Sequence, residues 1–464
     1  MSLQAAWHII VLAAGKGTRM RSNLPKVLHP IGGKSMLARV VETAQSLHPR
    51  TITVVVGFGA EAIRAAMPEA PVRFAWQTEQ RGTGHAVACG LHGLAGADED
   101  RVLVLYGDVP LISQVVLQSV LQQASQASVT ILTTELDDPT GYGRIVRGHD
   151  QAVIAIREQR DCLPAEAAIR EINTGILAAR LGDLRRWLPA LTPHNAQGEL
   201  YLTDIVSAAV AESRPVNTVC TADTHSVAGV NDRWALAALE RVYQRRQAEA
   251  LALAGVTLAD PARIDFRGEV TAGIDCMVDV NVVFEGAVTL GNGVIIEPNC
   301  ILKDVELGDG VRVRAFSHLE GAVLQAGAEV GPYARLRPGT ELGAHSKIGN
   351  FVEIKASQIG EGSKVNHLSY VGDTKMGAEC NIGAGTITCN YDGANKHRTE
   401  IGDRVFVGSS SQLVAPVRVE DDATIGAGST ITQAVPAGTL ALARARQVIK
   451  TGWQRPRKKP KTDG

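Results

Sequence analysis

The chain is short of paired cysteine, aromatic residues, net charge and long apolar runs. Its seven cysteines are odd in number, scattered, and include no Cys-x-x-Cys pair. A disulfide framework is therefore not expected, and a reducing, cytoplasmic setting is. Aromatic residues make up 4% of the chain, too few for platforms that stack single-stranded nucleic acid. A formal net charge of −1 gives no field to attract nucleic acid or an anionic membrane. The apolar run Ile9–Ala14 is far too short to cross a bilayer, and no basic segment precedes it. No nucleic-acid or membrane partner is expected. The basic stretch Arg455 to Lys461 reads as a solvated end rather than a docking segment.

What the chain has in abundance is a six-residue beat. From Phe266 it runs through Ala272, Val278, Phe284, Leu290, Ile296 and Leu302, shadowed two residues earlier by Val270, Cys276, Val282, Val288, Val294 and Cys300. It resumes at Leu336, Leu342, Ile348 and Ile354, then Val365 and Val371, Met376 and Ile382, Ile401, Val407 and Leu413, and Ile425 and Ile431. An α-helix, at about 3.6 residues per turn, cannot keep such a pattern on one stripe. A coil of short strands can, with two inward side chains per strand followed by a turn. Cys276, Cys300 and Cys380 fall on inward positions as small apolar side chains. Glycine follows the inward residue repeatedly (Gly291, Gly343, Gly360 and Gly408 among others), which suits a tight corner. The period fails between Thr388 and Glu400, where an insertion must leave the coil as a loop.

Residues 1–230 alternate β-branched runs with helical stretches. His8–Leu12, Thr51–Val56, Val102–Tyr106 and Val129–Thr133 read as buried parallel strands, with helices such as Met36–Leu47 and Glu61–Met67 between them. That alternation predicts a doubly wound, Rossmann-like α/β domain. Residues 231–255 read as a linker helix, capped by Asn231 or Asp232 and ended by Gly255. Residues 256–464 hold the parallel β-helix, coiled from about Pro261 to Arg444, and the basic tail.

The first strand runs into Leu12-Ala13-Ala14-Gly15-Lys16-Gly17-Thr18-Arg19-Met20. A glycine-rich turn opening a helix would offer backbone N–H groups to phosphate, and Lys16 and Arg19 would add charge. Pro25-Lys26 follows, then Gln77, Gln80 to His85, Tyr106-Gly107-Asp108, Gly141 to Arg144, Glu158, Glu171 to Gly175, and Gly229-Val230-Asn231. This order is the signature of sugar nucleotidyltransferases. With the hexapeptide domain, the chain resembles the bacterial bifunctional N-acetylglucosamine-1-phosphate uridyltransferase / glucosamine-1-phosphate acetyltransferase family over nearly its whole length.

The resemblance implies two activities. One is attack of a sugar-1-phosphate oxygen on the α-phosphorus of UTP, with release of pyrophosphate. Arg19 and Lys26 would be catalytic there, on the triphosphate and its developing charge. Asp108 and Asn231 would hold Mg²⁺, unless Asn231 serves as the helix cap. Leu12, Ala13, Ala14, Gly15, Gln77, Gly82 and Thr83 would meet the uracil nucleotide, beside Tyr106 and Gly107. Gly143, Glu158, Asn173 and Thr174 would meet the acetamido sugar, although Glu158 stands in more basic text than the family shows and also reads as a surface carboxylate.

The second implied activity is acetylation of glucosamine-1-phosphate by acetyl-CoA. With Val365 and Ser369 inward, His367 should point outward, where a neutral imidazole suits a general base. The resemblance makes Glu353 the group that orients His367 and places Arg337 and Lys355 on the sugar phosphate. Tyr370, Asn381 and Asn390 would complete the sugar pocket. Ala384, Asn390, Tyr391, Ser409, Ala427 and Arg444 would meet acetyl-CoA, with Arg446 competing for the place of Arg444. It further implies a left-handed coil and a homotrimer with the acetyl site between subunits. The rival expectation is a single-function nucleotidyltransferase with a structural β-helix.

Overall fold

A computed structural model of the chain describes residues 5–458, so Lys459 and Lys461 of the basic stretch lie outside the described residues. Two compact units divide the chain, one drawn mainly from residues up to Gln247 and the other mainly from residues after it.

The first unit is built on a nine-stranded sheet. Its centre is Trp7–Ala13, paired in parallel with Thr51–Val56 on one side and Arg101–Tyr106 on the other. These strands are apolar on both faces because both faces are covered. Val11, Val54 and Leu103 enter one buried cluster, and Ile10, Val55 and Val104 enter the other. The helix Met36–Gln45 begins where the Ser35 hydroxyl accepts from the Ala38 N–H.

The sheet is mixed rather than all parallel. Glu171–Arg180 lies antiparallel between Arg101–Tyr106 and Val129–Glu135, which in turn pairs in parallel with Val216–Cys220. A hairpin of Gly143–Arg147 and Val153–Arg157 joins the start of Glu171–Arg180. No long crossover helix intervenes before Glu171, so the chain returns antiparallel.

The second unit is a parallel β-helix with three strand ladders. One sheet contains 11 strands, and a 16-stranded sheet supplies the other two ladders, joined through Ile301–Leu307. Successive coils pair in register, as at Ile348↔Val365↔Ile382↔Val407↔Ile425. The inward residues of the six-residue beat are buried from Cys276 onward. Val270 and Ala272 are only half-buried, because their strand Ile264–Ala272 is an end rung with a neighbour on one side. Cys276, Cys300 and Cys380 are buried.

The glycines that follow the inward residues do not turn the corners. A Cβ on Gly360 would lie 2.3 Å from the Gly377 backbone, and one on Gly408 would lie 2.4 Å from the Ala427 nitrogen. They are glycine so that stacked coils can approach. The corners are turned by left-handed residues a coil apart, including Asn281, Asn299, Phe316, Tyr333, Phe351 and Leu368. The insertion leaves the stack after Ile387–Cys389. Partners Gln358↔Lys375 are 17 residues apart, whereas Lys375↔Glu400 are 25 apart.

The helix Arg233–Leu253 is capped by Asp232, whose carboxylate accepts from the Ala235 N–H at 2.8 Å. Asn231 is thereby free of the capping role.

Candidate active sites

The carboxyl ends of the parallel strands in the first unit open into a cavity of about 270 Å³. Its walls include Leu12, Ala13, Ala14, Gly15, Lys26, Gln77, Gly82, Thr83, Tyr106 and Asp108. Open α/β sheets bind ligands at this edge. The Gln77 amide donates to the Gly82 carbonyl at 3.0 Å, and Gln80 donates to the Ala14 carbonyl at 2.8 Å. These bonds tie the second glycine segment to the first strand's end. The Thr83 hydroxyl accepts from the Leu202 N–H at 3.0 Å. Gln80 and Glu199 also line the cavity. Glu199 lacks any motif that would have marked it in the sequence.

The glycine-rich turn does not open an α-helix. Only a single 3₁₀ turn, Thr18–Met20, follows it, flanked by Gly17 and Arg21 in the left-handed region. No helix dipole is therefore aimed at the cavity from this segment. Gly17 instead makes room for Lys26. A Cβ there would lie 2.6 Å from the Lys26 Cβ, at a backbone φ of +59°. Gly17→Ala should displace the lysine and lower nucleotidyl transfer about tenfold. It should also lower the melting temperature by a few degrees, since a side chain in left-handed backbone costs about 1 kcal/mol or more. Steady-state rates and a thermal melt check this.

Lys26 forms a short ion pair with Asp108. The Asp108 carbonyl accepts from the Val230 N–H at 2.9 Å, which seats the next residue, Asn231, beside it. Arg19 donates to the Asn231 side-chain oxygen at 2.9 Å. The four expected groups thus form two pairs, Lys26–Asp108 and Arg19–Asn231, linked through the Val230 backbone.

The expected sugar residues gather nearby. Gly143 pairs with Asn173, and a Cβ on Gly143 would lie 3.4 Å from each Glu158 oxygen. Glu158 is not a surface carboxylate. It accepts from the Thr203 hydroxyl at 3.1 Å, and burial raises its pKa, opposed by that bond and aided by Asp161 and Asp204. Burial, then the charges of Glu158 and Asp108, push the Tyr106 phenol far up, so it stays protonated. The Thr174 hydroxyl is turned onto the Leu132 carbonyl at 2.7 Å, and Asn173 accepts from the Gly175 N–H at 3.0 Å.

In the β-helix unit His367 is exposed between the buried Val365 and Ser369. Its partner is Asn350, whose side-chain oxygen lies 2.8 Å from Nδ1. Glu353 does not hold the imidazole. It stands in a different ladder, opposite Tyr370, and pairs with Arg337 at 2.9 Å. Leu336 and Ile354 are register partners, so Arg337 and Lys355, the residues after them, stand on adjacent coils. Lys355 pairs with Asp373 at 3.1 Å. Burial works against the ammonium, but Asp373 outweighs it and raises the Lys355 pKa. Asp373 also accepts from the Asn390 amide, which reaches the Tyr370 hydroxyl at 3.4 Å. Asp373 and Asn350 were missed in the sequence; both are visible only through coil-to-coil register.

Asn381 sits in the ladder of His367, opposite Lys364. Tyr391 is exposed and bonds its own loop, donating to the Gly393 carbonyl at 2.6 Å. Ala384, Ser409 and Ala427 each lie two residues beyond Ile382, Val407 and Ile425, which are stacked partners, so they form one row. Arg444 reaches this row, donating to the Ala427 carbonyl at 2.8 Å, which favours it over Arg446.

Residues 9–191 match the MobA-like NTP transferase domain family, and residues 398–433 match the bacterial transferase hexapeptide family. The chain is 54% identical to the Bifunctional protein GlmU of Marinobacter nauticus over 97% of its length and 99% of the relative. It is 56% identical to the GlmU of Stutzerimonas stutzeri, over 97% and 99%. The chain belongs to the GlmU family. It is also 55% identical to the GlmU of Chromobacterium violaceum, covering 97% of this chain and 98% of that one. Membership of the GlmU family covers both units, so the β-helix is part of the shared protein and not an addition to a nucleotidyltransferase. Among the described residues no helix is long and apolar enough to cross a membrane.

Proposed function

We propose that the chain makes UDP-N-acetylglucosamine by two transfers at two sites. The β-helix site acetylates glucosamine-1-phosphate with acetyl-CoA. The site in the first unit then joins N-acetylglucosamine-1-phosphate to the UMP of UTP and releases pyrophosphate. The observation that carries this reading is the outward His367, oriented by hydrogen bonding in the same chain as the Lys26–Asp108 cavity. A β-helix serving only as scaffold has no use for that imidazole.

In uridylyl transfer the sugar phosphate attacks the α-phosphorus while pyrophosphate departs, and the protein's task is positioning and charge neutralisation. Arg19 and Lys26 supply the cations, and the Gln77–Gly82 segment walls the base. Glu158, Asn173 and Gly143 receive the acetamido sugar. Asp108 and Asn231, on segments joined by the Val230–Asp108 backbone bond, offer hard oxygen donors, now engaged by Lys26 and Arg19. These would suit Mg²⁺, which uses few protein ligands and takes the rest from phosphates. When bound, Mg²⁺ would offset polyphosphate charge. Lys26, now on Asp108, is placed to turn to the triphosphate.

In acetyl transfer the glucosamine nitrogen attacks the thioester carbonyl. His367 takes the amine proton, the C–S bond breaks, and the thiolate leaves and is protonated. Arg337 and Lys355 bind the sugar phosphate. Tyr370, Asn381 and Asn390 flank the sugar. Ala384, Ser409, Ala427 and Arg444 edge the acetyl-CoA path, with Tyr391 on the loop.

The functional unit is a homotrimer. Phe316, Tyr333 and Phe351 stack on one corner with ring centroids 4.9 and 5.4 Å apart, and Leu368 follows them. The four side chains are 49–61% exposed and occupy left-handed backbone, which costs about 1–3 kcal/mol per residue. Such an apolar ridge, ending beside His367, suits a second copy of the chain. The double variant Tyr333→Asp, Phe351→Asp should sediment as a monomer where the parent sediments as a trimer; an unchanged trimer would remove the ridge from the interface. Unpaired cysteines support a cytoplasmic setting. The product would feed peptidoglycan and lipopolysaccharide synthesis.

The test is pyrophosphate release from UTP and N-acetylglucosamine-1-phosphate. It should require Mg²⁺ and both substrates. No release above background would reject the nucleotidyl site.

A further inference from the structure

We infer that Asn350 is the positioning residue for the acetyl-transfer base. The inference rests on the assignment of His367 as that base. It departs from the expectation that a carboxylate performs this task.

Asn350 and His367 are register partners on adjacent coils. Asn350 makes two contacts with the His367 segment. Its side-chain oxygen lies 2.8 Å from Nδ1, and its backbone carbonyl accepts from the Leu368 N–H at 3.1 Å. The His367 carbonyl is fixed as well, accepting from the Ser369 hydroxyl at 2.8 Å and the Gly385 N–H at 3.3 Å. The coils are tightly pressed here, since a Cβ on Gly349 would lie 2.0 Å from the Asn366 carbonyl oxygen. Both backbone and ring are thereby seated.

An amide oxygen accepts and does not donate. It therefore requires the proton on Nδ1 and leaves the Nε2 lone pair outward, the tautomer a general base needs. A neutral amide fixes the ring without adding charge to it. A carboxylate in the same place would stabilise the imidazolium and hold more of the base protonated. The strands packed on Lys364–His367 are Lys347–Asn350 and Asn381–Ile382. Their ionisable side chains, with that of the base's own strand, are Lys347 and Lys364. These two are register partners at the opposite end of the strands from Asn350 and His367. Lys347 is paired with Glu329 at 3.2 Å. Glu353 is engaged by Arg337.

The experiment is the pH profile of kcat for CoA release from acetyl-CoA and glucosamine-1-phosphate, using the full-length parent, Asn350→Ala, Asn350→Asp and Glu353→Gln. Thermal melts identify any variant that is misfolded. Asn350→Ala should lose roughly tenfold to a hundredfold in kcat with KM for glucosamine-1-phosphate within twofold. Asn350→Asp keeps the shape and should move the acid limb upward by about one pH unit. Glu353→Gln should leave the acid limb in place and change KM through Arg337. Folded Asn350→Ala and Asn350→Asp with parental kcat and acid limb would overturn the inference. So would an acid limb that moves in Glu353→Gln and in neither Asn350 variant. If the parent itself releases no CoA, or His367→Ala releases it at the parental rate, the failure belongs to the assigned base.

Discussion

Asp108→Asn should lower uridylyl transfer by about a thousandfold and leave acetyl transfer within twofold. Asp108 lies two residues past the end of the buried strand Arg101–Tyr106 at the edge of the cavity, pairs with Lys26, and is tied through its carbonyl to the segment carrying Asn231. The amide keeps the size and one oxygen but removes the negative charge that, in the proposed mechanism, would draw a divalent cation to the triphosphate. Loss of a preorganised electrostatic contact of this kind costs about 10²–10³ in rate, and loss of the cation adds to it. Pyrophosphate release at saturating UTP, N-acetylglucosamine-1-phosphate and Mg²⁺ measures the effect. A rate within tenfold of the parent would remove Asp108 from the site. The residues proposed for acetyl transfer lie in the other compact unit, so its rate should not follow.

His367→Ala should show the reverse pattern. Removing a general base costs roughly 10²–10⁴ in rate. The outward imidazole, fixed through Nδ1, is the proton acceptor we propose for the β-helix, and alanine supplies neither the acceptor nor a substitute. Acetyl transfer should fall into that range while pyrophosphate release stays within twofold. Parental acetylation by the variant would assign the base to another group.

Much of the fold was legible because it is periodic. Repetition of inward residues from Cys276 to Ile431, broken by phase slips and the loop after Cys389, is met by a coil that buries them. Periodicity does not reveal what happens between repeats. The glycines after the inward residues were assigned to corners, yet they are set by the backbone of the next coil, more than a dozen residues away in sequence. The antiparallel strand Glu171–Arg180 has the same apolar text as its parallel neighbours, so its direction depends on tertiary pairing. Helix-opening chemistry was expected after Gly15, but Gly17 and Arg21 take left-handed backbone on either side of a single turn. Asn231 and Asp232 are adjacent polar residues with equal capping chemistry. Only the structure assigns the cap to Asp232 and leaves Asn231 to Arg19.

The sites divide along the same line. Motifs contiguous in sequence, such as Leu12 to Gly15, line one cavity together with Tyr106 and Asp108. Contacts across coils were not legible. Asn350 meets His367, and Asp373 meets Lys355 and Asn390, through a register set by the lengths of the intervening corners and the loop after Cys389. The family resemblance implied a carboxylate partner, Glu353, for His367. Here Glu353 faces a different ladder and a cation.

The most direct test of two independent transfers in one chain is thiol release. Purified protein is mixed with acetyl-CoA and glucosamine-1-phosphate, without UTP, and the free CoA thiol is followed for the parent and for His367→Ala. The account predicts steady release by the parent and at least a hundredfold less by the variant. A folded parent that releases no thiol, or a variant that releases it at the parental rate, would contradict it.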